Sequence, residues 1–183
     1  NDTQQIAFNN VTYGGGDIHF EVSDSSIMQI VDSLEINGLL VNKGAVDVNG
    51  TLVFLDGSVY EHARDAGSIP TAIWMEGSTA LITGIVNDAP DNRDQDYYHL
   101  TLNTPGLLSN RDMNLDGRTI NGNLTMLNSG SSRWRLVGGS SGIITIMGDV
   151  IVEDGSLETQ GTSSTTEVDV MHYGNVIVTG GTF

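Results

Sequence analysis

At 183 residues, with 7 Lys+Arg against 23 Asp+Glu and a formal charge of −16, the chain is sized for one domain or one stretch of something longer. A field of that sign repels phosphate backbones and anionic membrane faces, so nucleic acid and membrane surfaces are excluded as partners. There is no Cys, hence no disulfide framework or thiolate chemistry; no apolar run reaches the ~18 residues of a membrane-spanning helix, so membrane insertion is not expected.

In chain order, short runs alternate apolar and polar residues: Leu34-Glu35-Ile36, Val46-Asp47-Val48, Leu52-Val53-Phe54, Leu100-Thr101-Leu102, Met113-Asn114-Leu115, Leu124-Thr125-Met126, Val168-Asp169-Val170 and Val176-Ile177-Val178. Period two, punctuated by Asn-Gly, Asp-Gly and Gly-Gly, predicts many short strands and almost no helix. Gly122-Asn123-Leu124-Thr125-Met126 returns as Gly148-Asp149-Val150-Ile151-Val152 and again as Gly174-Asn175-Val176-Ile177-Val178, 26 residues apart each time. The leading Gly is expected to supply a positive-φ corner. A fixed-period strand-and-turn unit predicts an all-β parallel β-solenoid (β-helix) with ~26-residue coils, in which Leu124, Val150 and Val176 stack in one ladder. An antiparallel sandwich is the competing arrangement.

The expected inward set is Leu34, Ile36, Val46, Val48, Leu52, Phe54, Leu124, Met126, Val150, Val152, Val176 and Val178. The whole of 1–183 reads as one solenoid segment of a longer chain: a less regular part at 1–33, irregular coils with loops at 34–121, and regular repeats at 122–183. Variable loops are expected at Glu61 to Ser68 and Asn87 to Asp96.

Ser68-Ile69-Pro70-Thr71-Ala72-Ile73-Trp74, followed by Gly77 to Ile85 and by Asp88-Ala89-Pro90, resembles a block of large repetitive surface proteins of Bacteroidota, in which it precedes rungs of the NGNLTVxGGTF type. The corresponding rungs here are Asn121 to Met126, Gly148 to Leu157 and Gly174 to Phe183, so the resemblance spans roughly residues 30–183. It implies export by the type IX secretion system, a place at the bacterial cell surface, and an adhesin-like or stalk-like role without an enzymatic activity. It also implies that Asp32-Ser33-Leu34 is an O-glycan acceptor at Ser33.

Two acidic constellations invite a calcium ion. Asp112-Met113-Asn114-Leu115-Asp116-Gly117 matches the first half of a calcium loop, with oxygens at Asp112, Asn114 and Asp116, yet the twelfth position is Asn123 instead of Glu. The same residues alternate like a strand, which is the favoured reading. Asp91, Asp94 and Asp96 crowd the second constellation, where an exposed, solvated loop partly neutralised by Arg93 is the favoured reading. Any bound calcium would be structural, and no other cofactor is implied. Trp134, Tyr97 and Tyr98 are the aromatic candidates for glycan contact, although alternation places Trp134 in the core between outward Arg133 and Arg135. Catalytic residues do not stand out: the bases are scattered, and the four His share no metal-like spacing.

The expected function is therefore a non-catalytic, extracellular structural or adhesive segment. Its partners are neighbouring solenoid repeats of the same chain, with surface glycans or secretion machinery as further partners. A glycan-binding module and a polysaccharide-degrading β-helix enzyme, lyase or hydrolase, are the alternatives.

Overall fold

The computed structural model describes residues 5–8, 18–139, 141–160 and 167–183. Among these there is no helix, and every strand pair is parallel. The chain is a parallel β-solenoid of about 7 turns. Its spine is an eight-stranded sheet formed by Ile18–Val22, Gly38–Asn42, Val59–His62, Thr79–Ile82, His99–Asn103, Leu124–Asn128, Val150–Val152 and Val176–Val178. At the usual strand spacing, eight strands extend about 34 Å along the solenoid axis.

Leu124 pairs with Val150 and Val150 with Val176, so the 26-residue step is the true coil length at this end. Toward the N-terminus the step is shorter. Leu39 pairs with Val59, Val59 with Thr79 and Thr79 with His99, each 20 residues on. Leu100 pairs with Leu124, 24 residues on. The spine strand recurs throughout, while the rest of the coil varies: only Ile73–Trp74 lies between Val59–His62 and Thr79–Ile82, and no further strand lies between Thr79–Ile82 and His99–Asn103.

Each regular coil adds two further strands. One series runs Gln5–Phe8, Ile27–Ile30 and Ala45–Val48, and its counterpart at the other end runs Arg111–Asp112, Trp134–Arg135 and Leu157–Glu158. The other series begins Ser33–Ile36, Thr51–Phe54 and Ile73–Trp74. It resumes, through the bridge of Tyr97 to Ile120, as Thr119–Ile120, Gly142–Ile146 and Val168–His172.

Alternation sends one residue in two into a single core. Leu40, Tyr60, Ala80, Leu100, Leu124 and Val150 form one inward row of the spine, each at most 1% exposed. Burial of each large aliphatic side chain contributes about 1.5–3 kcal/mol, before the entropy of ordering the chain is charged against it. Of the expected inward set, Leu34, Ile36, Val46, Leu52, Phe54, Leu124, Met126, Val150 and Val152 are buried. Val48 is half-buried against the core. Val176 and Val178 are 51% and 48% exposed, because no strand of the described residues lies over their coil.

The repeated glycine has a different reason from the one expected. Gly122, Gly148 and Gly174 are not among the positive-φ residues. They are required by the close approach of successive coils: a Cβ on Gly148 would lie 2.5 Å from the Gly122 carbonyl oxygen, and one on Gly174 would collide with the Gly148 carbonyl in the same way.

Candidate functional site

The acidic run Asn87 to Asp96 lies over the Asp65 to Trp74 stretch of the preceding coil, so the expected loops at Glu61 to Ser68 and Asn87 to Asp96 stack, except that Glu61 and His62 belong to the strand Val59–His62. The Asp65 carboxylate accepts the backbone N–H groups of Val86, Asn87 and Asp88 at 2.9, 2.8 and 3.0 Å and the Asn87 amide at 3.1 Å. Desolvation raises its pKa, but these four donors outweigh it and hold the carboxyl down at about 2. Ser68 bridges Asp91 in parallel, and Asn92 donates to the Ile69 carbonyl and Thr71 Oγ1. Gln95 is nearly buried; it donates to the Pro70 and Asn92 carbonyls and accepts from Ala72 N and Trp74 Nε1. The Ile69-Pro70-Thr71-Ala72 segment is thus held by side chains of the next coil, standing in for a regular ladder.

The carboxylates of this loop are dispersed rather than convergent. Asp94 pairs with Arg118 at 3.4 Å, Asp96 accepts the Thr119 N–H at 2.7 Å, and Asp91 is exposed beside its backbone bridge. In the half-loop motif, Met113 and Leu115 are fully buried and Asp112, Asn114 and Asp116 lie on the outer side, but the expected strand stops at Asp112: 113–116 form no strand and Asn114 takes the left-handed φ of 57°. Asp112 receives Arg135, while its remaining oxygen and Asn114 Oδ1 both face Gly138. Asp116 packs over Gly142 instead. Asn123, where a calcium loop would need its bidentate Glu, accepts the Asp149 N–H at 2.9 Å. Among the described residues no group of three or more His, Asp or Glu side chains is arranged to hold a metal ion.

Two of the three aromatic candidates are corrected by burial. Trp134 is fully buried and donates from Nε1 to Thr104 Oγ1 at 2.9 Å, with Arg133 and Arg135 outside it as alternation required. Tyr97 is fully buried too, its hydroxyl donating to the Arg93 carbonyl at 2.8 Å and its pKa raised by desolvation. It continues an internal column in which Phe54 and Trp74 stack at 4.6 Å and Trp74 meets Tyr97 at 5.3 Å. Neither ring has a face to offer a glycan. Tyr98 alone of the three is partly exposed, beside His99. Ser33 is half-buried at the start of its strand, in register with Thr51.

A polar chain lies inside the core where the sequence suggests only a turn. Asn42 Nδ2 donates to the Tyr60 hydroxyl at 3.0 Å, Tyr60 meets His62 Nδ1 at 3.0 Å, and His62 Nε2 meets the Ala66 carbonyl at 2.8 Å. Since Ala66 O can only accept, neutral His62 carries its proton on Nε2 and accepts a hydrogen bond from the Tyr60 hydroxyl at Nδ1. All three side chains are fully buried. Desolvation pushes His62 down to about 4, the Ala66 hydrogen bond opposes that, and Arg64 adds to it. Strict alternation of Tyr60 and His62 was the signal that both face inward.

Four corner residues form a relay across coils. Asn123 N–H donates to His99 Nδ1 at 2.8 Å, Asp149 N–H to Asn123 Oδ1 at 2.9 Å, and Asn175 N–H to Asp149 Oδ1 at 2.7 Å. On the opposite side of the coil, Asp112, Arg135 and Glu158 occupy one ladder position in alternating charge. Arg135 joins Asp112, and Arg133 joins Glu158.

Comparison with protein-family models, with curated proteins and with solved structures gives no match.

Proposed function

We propose that the chain is a non-catalytic, extracellular structural or adhesive segment of a long repetitive bacterial cell-surface protein. The observation that carries this reading is the unbroken eight-strand parallel ladder, to which the polar side chains are subordinate. Asp65, Asn92, Gln95, Asn123 and Asp149 all bond to the coil beside their own. A rod of this kind gains length by adding coils and keeps a distal part away from its anchor. The charge of −16 keeps such rods apart in solution. Type IX export, a Bacteroidota source and O-glycosylation at Ser33 rest on the resemblance of the Ser68 to Trp74 block and the rungs. Neighbouring repeats are the principal partners, and any calcium bound at either acidic stretch would be structural.

The test is labelling of intact source cells with antibody against this chain, combined with incubation of the purified chain with acidic and neutral polysaccharides. Surface label that protease shaving removes, with no release of reducing or unsaturated sugar ends, is the expected result. Label seen only after lysis overturns the location, and sugar release establishes the degrading enzyme instead.

A further inference from the structure

One concavity on the solenoid surface combines an aromatic ring with unpaired charge. Two successive corners repeat the same turn: Leu55-Asp56-Gly57-Ser58 and Met75-Glu76-Gly77-Ser78. Each is closed by its serine, whose Oγ donates to the Leu55 carbonyl at 2.6 Å and the Met75 carbonyl at 2.7 Å. The next coil has no such turn. Its corner passes through Tyr98 directly into His99, the register partner of Thr79. The change of corner leaves a notch of about 540 Å³ lined by Leu55, Asp56, Met75, Glu76, Tyr98 and His99 with the Gly77 backbone.

The floor is fixed. Tyr98 and His99 meet edge to face at 4.7 Å and 89°. Both rings lie against Gly122, where a Cβ would come within 2.5 Å of His99 Nδ1 and 3.0 Å of Tyr98 Cδ1. His99 Nδ1 accepts the Asn123 N–H, which puts the proton of the neutral ring on Nε2. The rim is acidic and exposed, and neither Asp56 nor Glu76 has an ion-pair partner among the described residues. Met75, 46% exposed, adds an apolar wall. No Lys or Arg is in the lining.

We infer that this notch binds an organic ammonium group carried on an apolar stem or a sugar ring, with Tyr98 as the stacking face and Asp56 and Glu76 as the counter-charges. A ring quadrupole attracts a cation over its face, two carboxylates neutralise it, and the surplus acidity of the whole chain concentrates cations near the surface. The inference goes beyond the structural reading and does not rest on it, since a spacer and an adhesin present the notch equally. A lysine side chain and an amino sugar share the required chemistry.

The experiment is an amide chemical-shift titration of the intact chain with D-glucosamine, with Nα-acetyl-lysine amide and with neutral N-acetyl-D-glucosamine, at matched ionic strength. Saturable shifts at Gly77, Tyr98 and His99 are expected with the two ammonium probes and not with the neutral sugar, and the tighter of the two identifies the source. Tyr98→Ala is expected to weaken binding by about two- to fivefold. The Asp56→Asn/Glu76→Gln double variant, altered only at exposed side chains, keeps the fold and is expected to weaken it at least as much. Absence of a saturable shift, equal response to the neutral sugar, indifference to the double variant, or shifts spread over the whole acidic surface would each overturn the inference.

Discussion

His62 and Asp65 are three residues apart and bring opposite demands to low pH. His62 is held neutral in the core, at about 4 against 6.5 for the free side chain. As pH falls below 6.5 the unfolded chain therefore takes up this proton first, and folding stability is lost down to about pH 4. A shift of that size corresponds to roughly 3 kcal/mol. Asp65 is held ionised, at about 2 against 3.8, so its contribution is complete above 3.8 and disappears between there and about 2. Urea unfolding across pH should show two successive losses. His62→Gln should flatten the upper one and Asp65→Asn the lower. A stability flat between pH 6.5 and 4 in the wild-type chain contradicts the His62 assignment. At the same scale, Gly148→Ala should cost about 1–3 kcal/mol, because the Gly122 carbonyl occupies the space of the new methyl. Gly106→Ala, where the methyl meets only Val86 at 3.6 Å, is the control and should leave the urea midpoint nearly unchanged.

Between elements, the coils are tied by two kinds of side-chain link, and they should respond differently to salt. The corner relay through Asn123 uses neutral or half-buried hydrogen bonds. Asn123→Ala should cost about 1 kcal/mol with little dependence on ionic strength. The Asp112, Arg135, Glu158 row is part-exposed, so Arg135→Gln should cost less than about 1 kcal/mol, and that cost should shrink in high salt. Equal salt dependence for both variants would erase the distinction. How far these elements were readable in the sequence follows from their spacing. The 26-residue rungs announced themselves because Gly-Asx and an apolar alternation recur together. The 20-residue coils carry the same alternation, but their marker is the turn motif at Leu55 to Ser58 and Met75 to Ser78, which recurs once. Tyr60 and His62 were obscured because polar atoms on an inward face look like a loop until Asn42 and Ala66 supply their partners from 18 and 4 residues away. The Asp88 to Asp96 run gave no hint of its partition, since Arg111, Arg118 and Thr119 come from the following coil.

Across the whole molecule, all seven basic side chains are engaged, so 23 acids face an otherwise uncompensated surplus. Lys43, Arg111, Arg118, Arg133 and Arg135 form ion pairs. Arg64 and Arg93 instead donate to the Gly44, Asp112 and Pro90 carbonyls. Self-repulsion of the surplus falls as the Debye length shortens, from about 30 Å at 0.01 M to about 8 Å at 0.15 M. The melting temperature should therefore climb with added sodium chloride and level off near physiological ionic strength. Calcium at matched ionic strength tests something different. A site that binds only the folded chain adds stability in proportion to the logarithm of free calcium once its dissociation constant is exceeded. Asp112 is already taken by Arg135, Asp116 packs apart from it over Gly142, and Asp94 and Asp96 are drawn to Arg118 and Thr119. Assembling a cation cage would require breaking these links, so melting curves in excess calcium and in chelator should superimpose. A rise with calcium that an equal ionic strength of sodium chloride does not reproduce would establish a structural site, and its loss in Asp112→Asn or in Asp94→Asn would say which stretch holds it.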